Sequence, residues 1–138
     1  MLNDEHRKKL IETALEVRNR AYAPYSKYNV GAALLTSSGK IFSGVNVENA
    51  AYPTSICAER VAVFNAVTNG ERDFTAIAVA TNNGGTPCGS CRQVLSEFGL
   101  DILVLVVDST GAVMQEAPLE YFLPGAFTPS DLDSDINK

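Results

Sequence analysis

Apolar positions recur at helical spacing near the N-terminus. Leu10, Ile11, Ala14, Leu15 and the stem of Arg18 fall on one side of a helix that Asn3 or Asp4 can cap, running to about Ala21. "YAPYS" stops it, because Pro24 disfavours helical backbone at the residue before it. The pattern then changes to that of strands. "NVGAALLT" and "KIFSGVNV" flank the turn "SSGK", which predicts a β-hairpin. A helix is predicted over Ser55–Asn69, closed by Gly70. "FTAIAVAT" reads as a buried strand, "NNGGTP" as a loop, and Cys88–Phe98 as a helix ended by Gly99. "DILVLVV" is another wholly apolar strand, followed by the turn "DSTG", a weaker strand at "AVMQEA" and a short helix.

A strand, a helix and a second strand in succession predict a parallel pair joined by a right-handed crossover. Strands as continuously apolar as "ILVLVV" are covered on both faces. The expected fold is therefore α/β, a three-layer α/β/α sandwich around a mixed sheet of about five strands. The 138 residues fit one domain, 1–138, with 128–138 as a partly ordered tail ending in "DLDSDINK". A chain of this length buries roughly two-thirds of its unfolded surface, so it needs no disulfide staples.

Composition narrows the function. Net charge is −5 and no basic block appears, so phosphate neutralisation has little to work with. Nucleic acid is not an expected partner; a small or neutral substrate fits better. No stretch approaches the roughly 20 apolar residues that span a bilayer. "MLNDEHRKKL" is charged and lacks a signal core, which points to a cytoplasmic protein without membrane association.

All three cysteines lie at predicted helix starts: Cys57 in "TSICAERVAVF", Cys88 and Cys91 in "PCGSC". Thr54 or Ser55 can cap the first helix and Thr86 the second. Cys57 and Glu59 point about 200° apart around a helix, so they can address one point only beyond its N-terminus. Cys88 and Cys91, three apart, share a face. Two helix N-termini stabilise thiolates, and three sulfurs suit zinc. A structural site would add a fourth Cys or His. The single histidine, His6, sits in a charged helix turn and reads as solvated. Three protein ligands leave a position for water, the catalytic form of a zinc site. Taken singly, Cys57 can be a buried apolar residue and Glu59 a helix-start acid, while a redox pair at the C-x-x-C lacks nearby charged support. A non-catalytic zinc module is the competing class, and it leaves both the open position and Glu59 without a role.

C-A-E followed by P-C-x-x-C is the pattern of the zinc nucleobase and nucleoside deaminases. The chain resembles in particular the small homotetrameric cytidine deaminases, through "AYAPYSKYNVGAALLT", "NVENAAYP", "CAER", "PCGSCRQV" and "FLPGAF". The resemblance spans nearly the whole chain. It implies one Zn²⁺ per chain on Cys57, Cys88 and Cys91, and Glu59 as the proton carrier in hydrolytic deamination of cytidine and deoxycytidine. It implies a pyrimidine nucleoside and water as reactants, and a homotetramer with active sites near subunit interfaces. Arg60 would donate hydrogen bonds to ligand sulfurs, offsetting the −1 charge of three thiolates on Zn²⁺, with Arg92 a second candidate; a surface arginine is the alternative for each. Asn46 and Glu48, two apart on a predicted strand, would bind the ribose, where a solvent-facing polar pair is the alternative. That pair sets the chain apart from the similar blasticidin deaminases. Ala58, Tyr52 and Tyr28 are further implied substrate contacts, Tyr28 standing where relatives commonly carry Phe. Phe127 resembles a residue that stacks on the pyrimidine from a neighbouring subunit; otherwise it anchors the C-terminal segment.

Overall fold

A computed structural model describes residues 2–132. The elements are α1 (Asp4–Arg18), β1 (Gly31–Thr36), β2 (Ile41–Val45), a 3-10 turn (Tyr52–Thr54), α2 (Ala58–Thr68), β3 (Phe74–Ala80), α3 (Gly89–Ser96), β4 (Leu103–Val107), β5 (Val113–Pro118), α4 (Leu119–Phe122) and α5 (Pro129–Leu132). One five-stranded sheet runs β2-β1-β3-β4-β5, with β3 and β4 parallel and the other neighbours antiparallel. The mixed sheet and its two helical layers match the fold expected from sequence.

Strand alternation builds those layers. On one face Ala32, Leu34, Ile77, Val79, Val104 and Val106 pack against α2 and α3. On the other, Ala33, Leu35, Ala76, Ala78, Ala80, Leu105 and Val107 meet α1. The alanines of β3 all fall on the α1 side, where a single helix with fully buried Leu10 and Ala14 can approach closely. Each fully buried large aliphatic side chain contributes about 1.5–3 kcal/mol. Gly44 brings α2 onto β2 in the same way: a Cβ there would lie 2.5 Å from the Ala58 carbonyl oxygen and from the Ala62 nitrogen.

Several boundaries differ from expectation. Helix α1 ends at Arg18, three residues early, and buries Val17 rather than the Arg18 stem; Arg18 Nε–H instead donates to Asn29 O at 2.9 Å. Asn3 is the cap, its Oδ1 accepting from His6 N at 2.7 Å. Within the expected tail 128–138, Pro129–Leu132 form a turn of helix because the Thr128 N–H is bound by Asp131 Oδ2 at 2.8 Å; residues 133–138 lie outside the described residues. No helix among the described residues is long and apolar enough to cross a membrane.

Candidate active site

The parallel strands β3 and β4 end at Ala80 and Val107, and beyond their carboxyl ends the N-termini of α2 and α3 converge, the usual place for a ligand in an α/β sheet. Neither Thr54, Ser55 nor Thr86 caps these helices, contrary to expectation. The cap positions are Cys57 and Cys88 themselves, both extended, without a side-chain cap bond. Thr54 Oγ1 donates to Ala51 O, Ser55 Oγ accepts from Asn49 N, and Thr86 Oγ1 accepts from Arg92. Both thiols thus stand at the positive ends of helix dipoles.

Sulfur atoms of Cys57 and Cys88 are 3.8 Å apart, those of Cys88 and Cys91 3.4 Å, and all three fall within 4.8 Å of one another. A tetrahedral shell with bonds of about 2.3 Å has sulfur–sulfur edges of about 3.8 Å. The trio therefore fits zinc in spacing as well as donor type, and it is the cluster of its kind among the described residues. Its electrostatics say the same. A hydrogen bond from Cys91, and then the Arg60 guanidinium, draw the Cys57 thiol down to about 5. That bond, burial and the Glu59 charge push the Cys91 thiol up. Sulfurs packed this closely resist joint ionisation unless a cation sits among them. Arg60 Nη2 donates to Cys57 Sγ at 3.1 Å, which raises its own pKa.

Arg92, the second candidate for the sulfurs, is turned elsewhere. Its Nε–H donates to Pro87 O at 2.7 Å, Nη1 to Phe122 O at 2.9 Å and Nη2 to Thr86 Oγ1 at 3.0 Å, with the guanidinium 6.0 Å from the Phe122 ring centre. It ties the loop before α3 to the end of α4.

A cavity of about 410 Å³ opens beside the sulfurs, a size suited to a small organic ligand. Cys57, Cys88, Ala58, Glu59, Arg60, Asn46, Glu48 and Tyr28 all line it. Glu59 is 4% exposed, and burial pushes its carboxyl up to about 7. A group titrating there can take and release a proton at neutral pH.

Asn46 and Glu48 reach the cavity, but not from a strand: β2 stops at Val45. Val47 instead bridges Tyr22 and Ile56, which keeps the segment extended and leaves its neighbours facing inward. Asn46 Oδ1 accepts from Val30 N and its Nδ2 donates to Tyr28 O, both at 2.8 Å. Glu48 Oε1 accepts from Tyr25 N and Ser26 N at 3.0 Å each, and Oε2 accepts from the Ser26 hydroxyl. The Ser26 hydroxyl and N–H hold the Glu48 carboxyl below its ordinary range, so it is ionised at neutral pH.

Tyr52 lies outside the main cavity, 69% exposed, in a side lobe shared with Tyr25, Ser26 and Glu48; the two tyrosine rings meet edge to face at 5.7 Å. Phe127 does not line its own chain's cavity. It is 56% exposed, with its carbonyl held by Gln93 Nε2 at 2.8 Å. His6 contributes nothing to the site. The sequence reading missed several lining residues, two of them polar side chains, Ser26 and Thr81. Ser26 has no periodic signal; Thr81, 3% exposed, could have been noticed as a polar residue closing an apolar strand before a glycine pair.

The cytidine and deoxycytidylate deaminase zinc-binding region matches residues 4–107. The chain belongs to this family. It is 44% identical over 126 residues to a cytidine deaminase of Sporosarcina psychrophila, covering 90% of this chain and 93% of that one. With a cytidine deaminase of Halalkalibacterium halodurans it shares 45% over 130 residues, covering 92% and 98%. The crystal structure of cytidine deaminase from Burkholderia pseudomallei superposes with a TM-score of 0.83 at 44% identity, over 91% of this chain and 100% of that one. That of Mycobacterium tuberculosis gives 0.78 at 35%, over 88% and 96%.

Proposed function

We propose that this chain hydrolyses cytidine and deoxycytidine to uridine and deoxyuridine with release of ammonia. The observation that carries the reading is a buried carboxyl, Glu59, titrating near neutrality in the wall of a cavity that it shares with an ionised Glu48 and with Cys57 and Cys88 of the three-thiol cluster. Cys57, Cys88 and Cys91 hold one zinc ion per chain, and when bound it supplies Lewis-acid activation of a water. Arg60 offsets the thiolate charge. Glu59 takes a proton from the attacking water and delivers it to ring nitrogen 3 as carbon 4 becomes tetrahedral. It then moves the proton of the new carbon 4 hydroxyl to the amine as the carbon–nitrogen bond breaks and the carbonyl forms. Cytidine and water are thereby converted to uridine and ammonia, in balance.

At the other end of the cavity Glu48 accepts from the 3′-hydroxyl of the sugar, beside Asn46. Contacts on the 3′ side leave little discrimination against deoxycytidine. A nucleotide would bring a 5′-phosphate, and among the described lining residues the cavity's cation, Arg60, is turned to Cys57. This favours the nucleoside over the family's other named substrate, deoxycytidylate. The enzyme then serves pyrimidine salvage in the cytoplasm, as one domain over residues 1–138. Exposed Tyr52 and Phe127 support a homotetramer in which Phe127 reaches a neighbour's nucleoside.

Glu48→Ala tests the assignment. Losing a charged hydrogen bond raises KM for cytidine about 10- to 100-fold with zinc content unchanged. Steady-state kinetics with cytidine and 5′-cytidylate, beside metal analysis, check both points; an unaltered KM removes Glu48 from the sugar site, and comparable kcat/KM for the two substrates removes the nucleoside preference.

A further inference from the structure

Tyr28 carries more structure than an apolar wall needs. Its backbone is fixed from below: Asn46 accepts from Val30 N and donates to Tyr28 O, while Glu48 holds Tyr25 and Ser26. Its hydroxyl, lining the cavity, donates to Asn83 Oδ1 at 2.7 Å, fifty-five residues away. Asn83 belongs to the loop that links β3 to Cys88. That loop curls over Thr81, whose Oγ1 accepts from Gly84 N at 2.8 Å and Gly85 N at 2.9 Å.

Gly85 lies directly under the phenol. A Cβ on Gly85 would stand 2.6 Å from the Tyr28 hydroxyl oxygen, whereas the next atoms, Asn83 Oδ1 and Tyr28 Cζ, are 3.6 and 3.8 Å away. Gly85 is not among the residues of positive φ, so the phenol rather than the backbone excludes a side chain there. The hydroxyl and the missing Cβ are complementary in size, and Gly85, Thr86 and Cys88 of the segment they position line the cavity.

We propose that the Tyr28 hydroxyl is a positioning group for nucleoside binding: by clasping Asn83 and filling the space over Gly85 it fixes the loop that closes the cavity beside Cys88. Phenylalanine would supply the same ring without the clasp. The inference rests on the nucleoside reading of the cavity, and its test separates the two.

The zinc-loaded parent, Tyr28→Phe, Gly85→Ala and Tyr28→Phe/Gly85→Ala are compared by cytidine kinetics, thermal melting and hydrogen exchange at Gly84 and Gly85. In Tyr28→Phe, KM rises about fivefold with kcat within twofold, as expected for a neutral hydrogen bond. Exchange at both glycine amides speeds up. Gly85→Ala is worse, in KM and in melting temperature, and the double variant returns to the level of Tyr28→Phe. Should Gly85→Ala fail to fold, folding of the double variant is the rescue. A Tyr28→Phe chain whose KM stays within twofold overturns the proposal, as does a Gly85→Ala defect that Tyr28→Phe leaves in place. A parent inactive on cytidine sinks the nucleoside reading instead, and the exchange and melting arms still decide the clasp.

Discussion

Replacing Glu59 with alanine yields a chain that keeps its zinc and its fold and loses nearly all turnover, by about 10⁴-fold. A single positioned acid–base group contributes about 10²–10⁴-fold, and here one carboxyl serves two proton transfers, so the upper end applies. Zinc is retained because the metal cluster is made of the three sulfurs and does not include Glu59. The fold is retained because the side chain is a buried ionisable group whose ionised form burial disfavours, which is why its carboxyl lies near 7 rather than 4.5. Removing it relieves that cost, and melting temperature stays at or above the parent's within a few degrees. Ammonia release, metal analysis and thermal melting check the three parts; cytidine turnover surviving in the alanine chain removes Glu59 from the mechanism. The same variant reports on Phe127. If the proposed homotetramer forms and Phe127 acts across its interface, mixed assemblies of Glu59→Ala and Phe127→Ala subunits regain activity, since some sites then combine both intact residues. No recovery in verified mixed tetramers places Phe127 as a local anchor.

Cys57→Ala has the second large effect, and on a different quantity. Cys57 stands at the N-cap position of α2 and brings the only sulfur of the cluster from that end; Cys88 comes from the N-cap position of α3 and Cys91 from its first turn. Without it two sulfurs remain, too few for a stable zinc shell, and α2 loses its metal-mediated link to α3. Metal binding is linked to folding, so its loss lowers stability by mass action. Zinc content falls from one per chain towards zero, activity falls by more than about 10³-fold, and the melting temperature drops by about 10–15 °C, as ~4 kcal/mol of lost linkage gives for a domain of this size. The chain still folds at low temperature because both core layers are independent of the metal. Adding zinc raises the parent's melting temperature and leaves that of the variant unmoved. A variant with full zinc and the parent's melting temperature would take Cys57 out of the ligand set.

Regular structure was legible where side-chain period and burial agree. "FTAIAVAT" became β3 with alanines on one face and larger residues on the other, and the parallel β3–β4 pair followed from the helix between them. The clustering of the three thiols was legible too, because both cysteine motifs fall at predicted helix starts, where the dipoles favour thiolates. The details of that end were not. Thr54, Ser55 and Thr86 are good caps by chemistry, yet the sulfurs occupy the cap positions and those hydroxyls serve the preceding loops. Asn46 and Glu48 face one side as a strand pair would, but through bridges to Tyr22 and Ile56, distant partners that no local pattern encodes. Arg92 sits beside a cysteine in sequence and turns to main-chain oxygens, because those lie where its planar fork can reach them. The Tyr28–Asn83 contact joins two loops without periodicity, so only the folded chain reveals it.

The account is tested most directly by a zinc titration of the metal-stripped chain with cytidine present. It predicts that ammonia release, matched by uridine, rises linearly with added zinc and levels off at one ion per chain. Turnover by the stripped chain equal to that of the loaded one, or no ammonia from a chain carrying its full ion, would contradict it.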